Sequence, residues 1–188
     1  MPKLVFSALL SISLLSATTA DQTGRVLFDF SDAQSLAKWQ IVNDTVMGGR
    51  SNSKVETTED RQMRFSGNLS LANNGGFASA RSRPAKLSLE QDDVIVLRVQ
   101  GDGRTYTFNL YVPTRRVAYS YQLDFKTQAG EWTEVKLPLS QFVAHSFGRK
   151  VPGDQLDANQ VNSVGILLGD KNPGAFQLVV DWIKVARD

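Results

Sequence analysis

The chain contains no cysteine in its 188 residues. Disulfides, thiolate metal sites, thiol nucleophiles and thiol redox chemistry are therefore all excluded. Histidine is almost as scarce, with His145 as the single representative. A His-based metal cluster and a pair of His acid–base groups are impossible. A Ser-His-Asp triad would have to use His145, and no G-x-S-x-G elbow is present to supply its serine. His145 itself reads as a solvated loop residue. There is no Walker motif. The "GDGR" of Gly101–Arg104 lacks the third glycine and the following helix of a dinucleotide site, and it reads as a hairpin turn. Carboxylates such as Asp29, Asp44, Asp124, Asp170 and Asp181 are available for a glycosidase pair. Acidic residues beside strands more often cap turns or face water, so the chain is read as non-enzymatic, with no cofactor.

An excess of one charge is also missing. Lys and Arg total 21 against 19 Asp and Glu, a formal net charge of +2. Nucleic acid and anionic membrane both reward a clustered basic surface, so neither is expected as the main partner. Only one long apolar run occurs, Leu4 to Leu15, with Lys3 before it and small residues leading to Thr18-Thr19-Ala20 after it. That is the layout of a signal peptide cleaved after Ala20, and the run is short of the ~20 residues a membrane span needs. The expectation is a periplasmic or secreted protein without membrane insertion, in which residues 21–188 form one domain, monomeric by default.

What is abundant is period-2 alternation. "RVLFDF" (25–30), "QMRFSGNLSL" (62–71), "TYTFNLYV" (105–112) and "YSYQLDFKT" (119–127) all alternate, and "VIVLRVQ" (94–100) reads as a strand buried on both faces. "EWTEVKLPL", "VNSVGILLG" and "AFQLVVDWIKV" continue the pattern. Turn-forming clusters separate them: Asn73-Asn74-Gly75-Gly76, Gly101-Asp102-Gly103, Pro152-Gly153 and Pro173-Gly174. Helical signals are confined to short turns in "SDAQSLAKW" (31–39) and "LSQF" (139–142). The pattern predicts an all-β, antiparallel jelly-roll sandwich of about ten or eleven strands. The longest stretch without a periodic signal, 143–157, is expected to be a loop. Trp39, Trp132 and Trp182 are expected to pack in the core.

Two motifs are more specific than the pattern. "WQIVNDTVMGGRS" (39–51) and "FSGNLSLANNGGFASARSR" (65–83) resemble signatures of the complex I intermediate-associated protein family. The resemblance continues, in order, through "LRVQGDGRTYTFNL", "GEWTEVKLPLSQF" and "GAFQLVVDWIKV". It implies a galactose-binding-like jelly roll, similar to some carbohydrate-binding modules. It also implies a non-catalytic, chaperone-like role in assembling respiratory complex I.

The leading expectation is a binding or assembly protein that engages a protein partner through its signature loops. The candidate contacts are Asn43, Asp44, Met47, Gly48, Gly49, Arg50 and Ser51, with Asn73, Asn74, Gly75, Gly76, Phe77 and Arg81. The glycine pairs permit close backbone approach, and the Asn and Asp side chains can close turns on the backbone. The same residues can instead do no more than pin the two motifs together. An alternative expectation is a glycan on a concave sheet face, near Arg115, Arg116, Tyr119 and Tyr121. Finally, Asp29 and Asp181 lie in the first and last strands. If those strands run side by side, the two carboxylates would repel unless a structural Ca²⁺ or an arginine intervened.

Overall fold

The computed structural model describes residues 24–32 and 34–187. The leader expected over residues 1–20 lies outside them. Among the described residues there are thirteen strands and five short 3-10 turns. The strands are β1 (Arg25–Asp29), β2 (Trp39–Ile41), β3 (Asn52–Thr57), β4 (Met63–Leu69), β5 (Ala78–Ser82), β6 (Asp93–Gln100), β7 (Thr105–Tyr111), β8 (Tyr119–Lys126), β9 (Trp132–Pro138), β10 (Val143–Ser146), β11 (Arg149–Lys150), β12 (Ser163–Leu168) and β13 (Gly174–Arg187).

They form two antiparallel sheets. The six-stranded sheet runs β3-β4-β13-β6-β9, with β1 also on β13. The seven-stranded sheet runs β11-β10-β8-β7-β12-β5-β2. The 14-residue β13 is long enough to pair β4 along its first half and β1 along its second, while β6 lines its other edge. The first and last strands therefore do run side by side.

Alternation explains which side chains meet between the sheets. Tyr106, Phe108 and Leu110 of β7 point inward, as do Phe65 and Met63 of β4 and Ile95 and Leu97 of β6, all fully buried. Phe65 meets Phe176 edge-on at 5.0 Å, and Phe108 meets Phe142 at 6.3 Å. Each such side chain contributes about 1.5–3 kcal/mol of burial. As the near-continuous apolar run predicts, β6 is buried on both faces from Val94 to Leu97.

Two expectations need correction. The stretch 143–157 is not all loop, because β10 and β11 form a hairpin there, with His145 opposite Lys150. The hairpin strands are only four and two residues long, so they leave no periodic signal. Of the tryptophans, only Trp39 packs in the core, beside Phe28 and Phe30. Trp132 and Trp182 sit on the outer face of the six-stranded sheet, where Arg98 lies 4.8 Å from the Trp132 ring and Lys184 lies 4.1 Å from that of Trp182. Stacked cations let these rings stay at the surface without a core partner.

Candidate functional site

The two signature motifs meet at one end of the sandwich, and Asp44 joins them. After β2 the chain stays extended through Asn43, then turns once at Asp44–Met47. Gly48, at φ 88°, ends that turn in the left-handed region, where an L side chain is strained. The turn points the Asp44 carboxylate inward, and the residue is fully buried. Its Oδ1 accepts the Ser51 N–H at 2.9 Å. Its Oδ2 accepts the Ser51 hydroxyl at 2.5 Å, the Gly76 N–H at 2.6 Å and the Phe77 N–H at 3.3 Å. Burial alone would raise this carboxyl. Its donors, Ser51 foremost, outweigh that and hold it below the ordinary 3.8.

The surroundings are built to this carboxylate. A side chain on Gly49 would have its first atom on Asp44 itself, and one on Gly75 would lie 2.5 Å from Asp44 Oδ2. Glycine is required at both positions for space, not for conformation. Asn43 adds a second tie, accepting the Ser53 hydroxyl at 2.7 Å and the Ser79 N–H at 3.3 Å. Asn73, at φ 58°, donates its amide to the Gly48 carbonyl at 3.2 Å. The Asp44 side chain thus closes no turn of its own; it reaches across to the second motif. Asn43, Asp44, Gly49, Ser51, Gly75 and Gly76 all serve this clasp.

What the clasp leaves outside includes three large apolar side chains. Val46 is 69% exposed, Met47 57% and Leu71 43%, with Arg50, Asn73 and Asn74 also exposed. Asn73 ties the loop bearing Leu71 to the loop bearing Met47. The tip is therefore a small apolar surface on a rigid base.

Arg81 is not part of this tip. It projects from β5 onto the outer face of the seven-stranded sheet, with Gln40 and Gly165 as its register partners. Its guanidinium lies 5.1 Å from the centre of the Tyr111 ring. Burial pushes the Tyr111 phenol up, and the Arg81 charge offsets part of that rise.

The glycan patch drawn around Tyr119 and Tyr121 is corrected in its direction. The two tyrosines do share a face, but it is the inner one. Tyr119 is 8% and Tyr121 6% exposed, and both join the core. Their hydroxyls donate outward to Asp154 and to the Gln155 carbonyl, each at 2.8 Å. Arg116 is paired with Asp154 and lies over Tyr119, while Arg115 is exposed.

Asp29 and Asp181 lie on neighbouring strands, with Asp29 opposite Trp182. Each has its own partners. Asp29 accepts the Ser31 N–H at 2.8 Å, and Asp181 is paired with Arg98 and accepts from Gln62 at 3.3 Å. Asp181 occupies the irregular step between Val180 and Trp182 on β13, which turns it toward Arg98 on β6. Among the described residues no group of three or more His, Cys, Asp or Glu side chains is placed to hold a metal ion.

Comparison with known proteins agrees with this architecture. The family described as complex I intermediate-associated protein 30 matches residues 28–180. The mouse protein named complex I intermediate-associated protein 30, mitochondrial, is 30% identical, over 89% of this chain and 57% of its own. Its Drosophila melanogaster counterpart is 27% identical, over 87% and 63%. The chain thus spans about 60% of the length of these relatives. Among solved structures, a family 11 carbohydrate-binding module of a Clostridium thermocellum cellulase superposes with a TM-score of 0.67 at 14% identity, covering 88% of this chain and 95% of the module. An exo-β-agarase superposes at 0.55 with 10% identity, covering 87% of this chain and 25% of the enzyme. At those identities the likeness is one of fold. The relatives' names also overturn the expectation of a periplasmic or secreted protein, since those from mouse, fly and two nematodes are all called mitochondrial. An apolar leader run alone does not distinguish export from other targeting. From its signature clasp through its closing strand, the chain belongs to the complex I intermediate-associated protein 30 family.

Proposed function

We propose that this chain is a non-enzymatic assembly protein that holds a protein partner at the clasp end of its sandwich, acting as a monomer. The relatives' names support an assembly role. The observation that carries the reading is the tip itself. Val46, Met47 and Leu71 project into solvent from loops anchored by the buried, hydrogen-bonded Asn43, Asp44 and Ser51. A rigid base lowers the ordering cost of binding, and apolar side chains on it provide the area. Met47 suits a partner surface that is not fully folded, because its flexible side chain adapts to irregular contacts.

The glycan alternative receives no comparable support from side chains, because Tyr119 and Tyr121 face inward. The test is cross-linking capture of a defined partner from cells that carry the chain, with Met47→Asp as the control. Recovery of one protein by the parent and its loss with Met47→Asp is the expected result. Absence of any specific partner, together with normal levels of respiratory complexes in a deletion strain, would overturn the proposal.

A further inference from the structure

The outer face of the seven-stranded sheet carries a second feature that the clasp does not explain. Its middle row, read across the strands, is Gln40, Arg81, Gly165, Asn109, Gln122 and Val143. Gly165 makes the centre of this row possible. A methyl group there would lie 3.1 Å from the Tyr111 ring and 3.2 Å from Arg81 Cγ. Without one, Arg81 and Tyr111 close over β12 and form a floor.

Beside that floor runs a chain of polar side chains. Gln122 donates to the Ser120 hydroxyl at 3.1 Å, and Ser120 donates to Asn109 Oδ1 at 2.9 Å. Asn109 and Ser120 are buried, at 1% and 4% exposure, although they are on the outer side of the sheet. The array is fixed before anything binds.

Basic groups outnumber acidic ones on this face. Register places Lys126 opposite Thr105 and Lys150 opposite His145, on the same side as Arg81. Asp124 is the one carboxylate on these strands' outer side, and it accepts the Thr107 hydroxyl at 2.7 Å. Arg81 spends its Nε on the Ser79 hydroxyl at 3.2 Å. No ion pair engages Arg81, Lys126 or Lys150 among the described residues. Half-buried arginine on an aromatic ring, with its terminal nitrogens free, is suited to a carboxylate.

We infer that this face seats an acidic polypeptide segment, with Arg81 over Tyr111 as its central contact. The inference rests on the reading that the chain engages a protein, and it adds a second contact surface, beyond the clasp tip, and its chemistry. Seven strands make a face about 29 Å wide, which an extended segment of roughly nine residues crosses. A sugar is less well served, because stacking needs an open ring and Arg81 already covers Tyr111.

The test uses the full chain, isotopically labelled, with three probes: a ten-residue peptide alternating Glu and Gly, its Lys counterpart, and cellotetraose. The Glu peptide alone should shift the amides of Asn109, Gln122 and Gly165 in a saturable way, more weakly as salt rises. Arg81→Gln should weaken it by about ten-fold or more while the melting temperature stays near that of the parent. Gly165→Ala, which pushes Arg81 and Tyr111 apart, should weaken it too. Equal shifts from the Lys peptide, unchanged affinity in Arg81→Gln, or a response to cellotetraose alone would each overturn the inference. Partner capture separates the two proposals. If Met47→Asp abolishes capture and the Glu peptide fails to bind, the sheet-face inference falls and the assembly reading stands. If no partner is captured at all, the assembly reading falls first.

Discussion

Asp44→Ala is the substitution whose effect the structure specifies most closely. It leaves the Ser51, Gly76 and Phe77 N–H groups without their acceptor, and the Ser51 hydroxyl with only the Ser70 carbonyl at 3.2 Å. The fully buried Ser51 N–H alone should cost about 1–3 kcal/mol, and hydrogen bonds to a charged acceptor are the stronger kind. Gly76 and Phe77 are half-buried, so water replaces part of what they lose. The sum is about 3–5 kcal/mol, or roughly 10 °C in melting temperature for a domain of this size. Asp44→Asn, nearly isosteric, should cost less but still about 2 kcal/mol, since its amide sets donors against donors. Gly49→Ala should be destabilising in the parent because its methyl lands on the carboxylate. It should be milder in the Asp44→Ala background, where that carboxylate is gone, by about 1 kcal/mol or more of coupling. The pH dependence has a definite sign. The folded carboxyl titrates below the ordinary 3.8, so its contribution is complete above that value and is lost as pH falls below it. Denaturant titrations at neutral pH and below pH 4 on the four variants read all of this. Single-mutant changes within about 0.5 kcal/mol of the parent, or an additive cycle, would refute the clasp. Unchanged stability with lost partner capture would make the loop a contact surface instead.

Two further predictions concern ionic groups elsewhere. Arg104 is 9% exposed, makes two bonds to Asp170 at 2.9 and 2.7 Å, and also donates to the Asn172 and Ala175 carbonyls. Arg104→Ala should destabilise by about 2 kcal/mol in chemical denaturation, because it strands a half-buried carboxylate, and an effect near zero would show that water replaces the pair. A chelator should leave the melting temperature unchanged, given that Asp29 and Asp181 have separate protein partners; a fall that calcium reverses would restore the structural cation.

The fold was legible because alternation is a direct record of which face of a strand is buried. The inward tyrosines, phenylalanines and leucines of β7 and β8 are the residues that alternate in the sequence, and they are the ones in the core. Short strands left no such record. In β5, "ASARS" has inward residues as small as Ala78, Ala80 and Ser82, so it reads as part of a turn-rich motif and draws Arg81 into the loop. The orientation of Tyr119 and Tyr121 followed the same rule but was assigned the wrong way round. Shared phase shows that two residues face together, and it does not say whether toward the core or the solvent. The needed clue was phase relative to a neighbour. Tyr121 is opposite Leu110, in phase with Tyr106, so the tyrosines must point the same way as that apolar row. The out-of-phase Tyr111 was the one tyrosine of the four on the outer side.

This geometry bears on what the signature motifs convey. Six of the thirteen candidate residues (Asn43, Asp44, Gly49, Ser51, Gly75 and Gly76) make or make room for the clasp, by hydrogen bonds or by the absence of a side chain, and Phe77 adds only its backbone N–H. These letters of the two signature motifs thus hold two loops together, and a different side chain at any of them damages the fold before it can alter a contact. Residues free to tune recognition lie next to them, at Val46, Met47 and Leu71, where a substitution leaves the clasp intact. Loop geometry therefore rests on the clasp, and a partner contact on the tip would rest on its neighbours. The exchange that tests this swaps Val46, Met47 and Leu71 for the mouse relative's residues. It should leave the melting temperature near that of the parent and move partner capture toward the mouse protein's; a collapse in stability would place these residues in the clasp after all.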